Sequence, residues 1–80
     1  MKILTTTNEI ISLENVRRVT INTRENKRTK NGVKITVTEY WIHIAYTDGE
    51  SENIDFGEDN NAEKECNAIF QAIIKKLSDN

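Results

Sequence analysis

His43 and Cys66 are each the only residue of their kind in the chain. Together they would make a nucleophile and its base, a pairing that needs both side chains in one cleft. A second set with chemical potential is acidic: Asp48, Glu50, Glu52, Asp55, Glu58 and Asp59. Oxygen ligands at that density suit a divalent cation, but the spacing lacks the alternation and closing Glu of a calcium loop, so a solvated acidic edge is the expectation. There is no Gly-rich phosphate loop, no Ser-His-Asp arrangement and no metal-spaced Cys or His pair. No catalytic residue, metal site or cofactor is therefore assigned.

The third set is basic: Arg17, Arg18, Arg24, Lys27, Arg28, Lys30 and Lys34, seven cations against Glu25 alone, a net +6. From Glu39 to Glu65 the balance reverses, nine acids against Lys64, a net −8. The whole chain carries only −2, with a pI near 5.4, so the charge is separated along the sequence instead of being large. Such a dipole steers partners or draws two copies together. The basic stretch would suit a phosphate backbone, with Tyr40 and Trp41 as stacking surfaces, although Lys and Arg also serve simply to keep a hairpin soluble.

Arg17 to Tyr46 must position these side chains, and it reads as one long antiparallel ribbon folded at Asn31-Gly32. Both central residues of a tight two-residue turn need positive φ, which Asn and Gly tolerate best. Register follows: Lys30 faces Val33, Arg24 faces Glu39, Thr23 faces Tyr40, Ile21 faces Ile42 and Val19 faces Ile44. Apolar meets apolar near the base, and opposite charges meet on the other face. Along the second arm the alternation changes phase. Val33, Ile35 and Val37 stand at odd positions, whereas Tyr40, Ile42, Ile44 and Tyr46 stand at even ones. The two sets point to opposite faces unless a bulge intervenes near Thr38-Glu39. Val33, Ile35, Val37 and, by odd parity, Trp41 are thus the candidate interface, to be covered by the early strands or by a second copy. Each arm of about 14 residues extends roughly 45 Å, whereas a compact chain of this length is about 30 Å across. The tip should overhang the domain.

Around the ribbon, Met1 to Thr6 reads as a first strand, Thr7-Asn8-Glu9 as a turn, and Ile10 to Leu13 as a second strand ended by Glu14-Asn15. Thr47-Asp48-Gly49 reads as a three-residue hairpin loop with Gly49 left-handed. It sets Tyr46 against Glu50, Ile42 against Ile54 and Tyr40 against Phe56, until Gly57 ends the strand. Asn60 is the expected N-cap of a C-terminal helix, with Glu63 as its capping-box partner. Acids crowd the first turn of that helix, and Lys75 and Lys76 the last. Ala62, Cys66, Ile69, Phe70, Ile73 and Leu77 recur at helical spacing and form its apolar face, opposite Asn67, Gln71, Lys75 and Ser78. The expected fold is α+β, residues 1–80 forming one small domain: an antiparallel sheet of four to five strands with a long β-hairpin ribbon, packed by one C-terminal helix. Parity puts His43 on the sheet face away from that helix and Cys66 beneath it, so no dyad is expected.

Eighty residues with 36% hydrophobic and 30% charged content suit a single small globular domain, near the size at which one core is marginal without oligomerisation. No apolar run is long enough to span a bilayer, and Met1-Lys2 leads into strand-like sequence without a signal-peptide core. A lone cysteine excludes an internal disulfide and points to the cytoplasm. The absence of proline and the abundance of Asn, Lys and Ile suggest an AT-rich bacterial or phage genome.

The order Ile10-Ile11-Ser12-Leu13-Glu14-Asn15-Val16-Arg17-Arg18-Val19, then Tyr40-Trp41-Ile42-His43-Ile44, Asp48-Gly49, Ile54-Asp55-Phe56 and a final amphipathic helix resembles the later strands and closing helix of bacterial pleckstrin-homology-like domains. The resemblance covers about three quarters of the chain. It implies a binding or scaffolding module and carries over no ligand residues.

The sequence reading is therefore a non-enzymatic cytoplasmic interaction module, self-associating as a homodimer through its ribbon. The alternative is a nucleic-acid-binding accessory protein using the seven cations. A membrane-surface role ranks third, because the helix has a mixed-charge polar face.

Overall fold

The computed structural model describes residues 2–4 and 10–78. Five strands and a helix follow in order: β1 (Lys2–Leu4), β2 (Ile10–Ser12), β3 (Val16–Lys30), β4 (Val33–Tyr46), β5 (Ser51–Gly57) and α1 (Ala62–Ser78). The fold is α+β, but the strands divide between two sheets. β3, β4 and β5 form an antiparallel sheet with β4 in the centre, while β1 and β2 pair only with each other. The expected single sheet of four to five strands thus stops at three. The turn expected at Thr7-Asn8-Glu9 lies outside the described residues.

Asn31 and Gly32 take φ of 51° and 76°, the two positive values of a type I′ turn. From that turn the β3–β4 register runs unbroken from Lys30–Val33 to Arg18–Ala45, through Arg24–Glu39, Thr23–Tyr40, Ile21–Ile42 and Val19–Ile44. The ribbon begins at Val16. Its register shift falls at Arg17 and not near Thr38-Glu39, so the phase change along β4 is a true change of face.

The three-residue loop also forms as its residues dictate. Tyr46 N–H donates to the Glu50 carbonyl at 2.9 Å, Gly49 N–H to the Tyr46 carbonyl at 3.2 Å, and Gly49 sits at φ 92°. Ile42 pairs with Ile54, but Tyr40 pairs with Gly57 instead of Phe56. Gly57, at φ 77° with its N–H on the Asp55 carboxylate (3.0 Å), bends the strand end and leaves Phe56 as an extra residue. The Phe56 side chain still enters the core.

The core lies between the helix and the face of the sheet that carries the even-numbered residues of β4. Ile42, Ile44, Ile73 and Cys66 are fully buried, with Leu13, Ile54, Phe56 and Ala62 around them. Each isoleucine contributes about 1.5–3 kcal/mol by leaving water. Val16, Val19, Ile21, Ile69, Phe70 and Leu77 close the margins, whereas Asn67, Gln71, Lys75 and Ser78 face solvent. The helix starts one residue later than expected. Asn61, not Asn60, supplies the carbonyl for the first helical bond, from Glu65 N–H at 2.9 Å. Asp59 holds the turn before it by accepting from Asn61 N–H at 2.9 Å, which leaves Glu63 free for another partner.

β5 reaches only as far as Tyr40 and Gly57, so residues 24–30 and 33–39 continue as two strands alone. At ~3.3 Å per residue these seven-residue arms project roughly 23 Å. The molecule accordingly measures 50 × 22 × 19 Å.

Candidate functional site

The unbroken register fixes what the sheet shows on the side away from the helix. From the tip inward, that face carries Val33, Ile35, Val37, Glu39, Trp41, His43 and Ala45 of β4, flanked by Lys30, Arg28, Asn26, Arg24, Asn22, Thr20 and Arg18 of β3. The four residues expected as an interface do share one face, but they are not one continuous stripe. Glu39 stands between Val37 and Trp41, and it holds Arg24: Nη2 and Nε donate to Oε1 at 2.7 and 3.1 Å. The Arg24 guanidinium in turn lies 6.0 Å from the Trp41 ring centroid, at the edge of cation–π range.

Trp41 is tied down further. With the Asn22 amide turned so that both its ends are satisfied, the Trp41 indole N–H donates to the Asn22 side-chain oxygen at 3.2 Å, and the Asn22 amide nitrogen donates to the Ile21 carbonyl at 3.3 Å. Trp41 is therefore part of a polar mesh, with a shallow concavity of about 250 Å³ formed by Arg24, Glu39, Trp41, Asn53 and Asp55. The apolar part of the face reduces to Val33, 61% exposed, with Ile35 and Val37 half-buried. All three lie on the overhang, beyond the reach of β5.

The seven expected cations also separate. Arg24 is neutralised by Glu39. Arg28 is held by Glu58, with Nη2 and Nε donating at 2.7 and 3.2 Å, and Asn26 donates to the same carboxylate. Lys27 and Lys34 lie on the opposite face of the overhang, because they pair with Thr36 and Thr29. There Lys27 Nζ donates to Thr36 Oγ1 at 3.3 Å. Lys27, Arg28, Thr29, Lys34, Ile35 and Thr36 line an open concavity of about 410 Å³. Arg17 occupies the register shift and Arg18 sits at the base.

The residues with catalytic potential stay apart. His43 and Asn53 pair across β4 and β5, Nδ1 lying 2.7 Å from Oδ1, on the face away from the helix. Cys66 is wholly buried beneath the helix, where desolvation raises its thiol pKa. The sheet stands between them.

The acidic residues serve local structure. Asp48 accepts from Glu50 N–H at 2.9 Å, Asp55 and Asp59 hold the bends already described, and Glu52 accepts from the Tyr46 hydroxyl at 3.1 Å. Among the described residues, no three His, Cys, Asp or Glu side chains converge on a point that would hold a metal ion. Nor is any helix long and apolar enough to cross a membrane. Glu63 accepts from the Tyr40 hydroxyl at 3.0 Å, which raises the Tyr40 pKa. Burial, then the bond to Glu52, pushes Tyr46 to about 12.

Sequence reasoning did not find the links of Glu58 to Arg28 and Asn26 or of Glu63 to Tyr40. The only signal available was an excess of acids after Gly57, which does not say which base each one meets. Comparison with known proteins leaves the geometry to carry the functional argument, since no family model, curated protein or solved structure matches the chain.

Proposed function

We propose that this chain is a protein-interaction module that self-associates through the overhanging part of its ribbon, Val33, Ile35 and Val37 of one copy packing against those of a second, with Trp41 at the margin. One observation carries the reading: the register keeps these β-branched residues on the face away from the helix, where, among the described residues, no residue of the core lies over them. A small domain leaving such a strip in water would be prone to aggregation, and a two-fold contact removes the strip from solvent. The resemblance to pleckstrin-homology-like domains, which implies a binding or scaffolding role, agrees with this reading.

Light scattering after size exclusion tests it. A dimer is expected at low and high salt, because the contact is apolar, and Ile35→Lys should return a monomer of unchanged circular dichroism. A wild-type monomer at both salts would overturn the reading.

The second reading is nucleic-acid binding, and the concavity with Lys27 and Lys34 favours it, since neither lysine makes an ion pair among the described residues. Arg24 and Arg28 are already engaged, so the available cations are Arg17, Arg18, Lys27, Lys30 and Lys34. If this reading holds, affinity for a single-stranded oligonucleotide should fall steeply with salt. Lys27→Glu with Lys34→Glu should then abolish binding without changing the oligomeric state.

A further inference from the structure

Among the described residues, β3 is bonded along one side only. The sheet order places β4 on that side, and among the described residues no strand lies on the other, because β1 and β2 pair with each other. The type I′ turn determines which groups face the open side. Its closing pair, Lys30 and Val33, exchanges both backbone hydrogen bonds, and from there bonded and non-bonded pairs alternate. The ladder bonds to β4 therefore come from the even-numbered residues of β3. Val19, Ile21, Thr23, Glu25, Lys27 and Thr29 turn their N–H and C=O groups outward. The bond from Tyr46 N–H to the Glu50 carbonyl agrees, since it shows even-numbered β4 residues bonding toward β5 and leaves the odd-numbered ones for β3. Thr23, Glu25, Lys27 and Thr29 are exposed, so the outward groups of this stretch are open to a further strand.

Charge determines which strand fits. Glu25 is the only acid on β3, against Arg17, Arg18, Arg24, Lys27, Arg28 and Lys30. With Arg24 and Arg28 held by Glu39 and Glu58, four cations still border the edge against one acid. A second β3 laid antiparallel here would set like charges opposite one another in each central register, Arg24 against Arg24 or Arg28, Lys27 against Lys27, or Glu25 against Glu25, which is destabilising. β5 of a second copy is acidic but only 7 residues long, half of the 15 available. Basic side chains on an edge repel most strands, and the same charges select an acidic one.

We propose that the β3 edge captures an extended acidic segment of a partner protein by strand addition, the outward amides of Thr23, Glu25, Lys27 and Thr29 supplying affinity and the flanking cations specificity. This surface is the edge of the ribbon, distinct from the apolar face used for self-association.

The test uses the full chain and a fluorescent peptide of alternating Glu and Val, followed by anisotropy, with an alternating Lys and Val peptide and a single-stranded oligonucleotide of equal charge as comparisons. Only the acidic peptide should bind tightly, and amide exchange at Thr23, Glu25, Lys27 and Thr29 should slow when it does. Glu25→Gln removes the one acid and should tighten binding. Glu25→Pro removes the same acid together with an outward N–H, and proline is tolerated where no ladder bond is lost. Charge alone would make Glu25→Pro bind at least as well as Glu25→Gln, whereas strand addition requires it to bind at least about tenfold more weakly, the worth of one or two backbone hydrogen bonds.

Equal affinity of those two variants would overturn the proposal, as would equal binding of the oligonucleotide. In Ile35→Lys, which lacks the apolar contact of the proposed dimer, a rise in mass with protein concentration that the peptide does not reverse would show the edge taken by a second copy, and would overturn it too. If Glu25→Pro fails to fold, unchanged exchange at the four amides in the wild-type complex has the same force.

Discussion

The Glu58 carboxylate, one residue past the end of β5, receives the Arg28 guanidinium through both oxygens, 30 residues away in sequence. Asn26 donates to the same carboxylate, and its amide also reaches Glu39 at 3.4 Å, where Arg24 is bound. Arg28, Asn26 and Glu58 thus tie the overhang of the ribbon to the junction between sheet and helix. Without them the overhang would be held, among the described residues, by its own cross-strand pairs, since the β5 ladder ends at Tyr40 and Gly57.

Glu58→Gln should therefore act on motion more than on stability. Arg28 and Glu58 are 55% and 27% exposed, so solvent screening limits the ion pair to about 0.5–1 kcal/mol. Global unfolding should shift by no more than that. Backbone order parameters of residues 24–30 should fall, because the ribbon then pivots where β5 ends. Unchanged order parameters in Glu58→Gln would show that the twist of the ribbon alone holds it in place.

The ribbon was legible because local rules and the apolar pattern agree. Asn31-Gly32 demands a type I′ turn, and once the turn is placed, pairing Val19 with Ile44 or Arg24 with Glu39 is counting. What the sequence hid depends on geometry between distant elements. The shift of phase after Val37 left two readings, a change of face or a bulge near Thr38-Glu39, and the bulges lie instead at Arg17 and Phe56, where the sheet adjusts beside the core. Beyond Glu39 the helix no longer covers the sheet, and nothing selects the face on which apolar residues stand. The Glu58 contact was unreadable for a related reason: it requires the bend at Gly57, and positive φ there redirects the chain toward Arg28. Trp41 looked like an interface residue by parity alone, but the side chains that hold it, Asn22 and Arg24, come from the neighbouring strand.

Both tyrosines of the chain are held above the ordinary phenol value of 10.0, Tyr40 by its bond to Glu63 first and Tyr46, at about 12, by burial first. The neutral phenol is favoured in the folded state, so the associated stability is fully present below pH 10 and is lost as pH rises through the folded value. Phenolate absorbance of the native protein should rise late, with a jump at alkaline unfolding. Tyr46→Phe should flatten the loss of stability between pH 10 and 12. Two tyrosines titrating near 10 in a chain still folded would contradict the bonding to Glu52 and Glu63.

Cys66 offers a probe of the core. It is 0% exposed, with its thiol pKa raised, so both access and thiolate formation oppose modification. A thiol reagent should react at the rate of unfolding and become fast in denaturant. Cys66→Ser places a hydroxyl among Ile42, Ile44 and Ile73 and should cost about 1–3 kcal/mol unless it finds an acceptor on the helix. Cys66→Ala should cost less. Rapid labelling of the native protein would mean that the helix lifts from the sheet far more readily than its packing implies.

Gly32 allows the turn to be separated from the core. At φ 76° an alanine is strained by its backbone conformation, about 1 kcal/mol, while its Cβ would meet nothing within 4 Å. Because the tip is held by cross-strand pairs alone, Gly32→Ala should leave the melting temperature nearly unchanged and speed amide exchange around Lys30 and Val33. Asn31→Gly keeps the turn type and should change neither. If the apolar tip joins two copies, loosening Val33 and Ile35 must also weaken the dimer, by about fivefold for 1 kcal/mol. Gly32→Ala that frays the tip yet dimerises at wild-type strength would separate the contact from the tip and point to Trp41 and the base of the sheet instead.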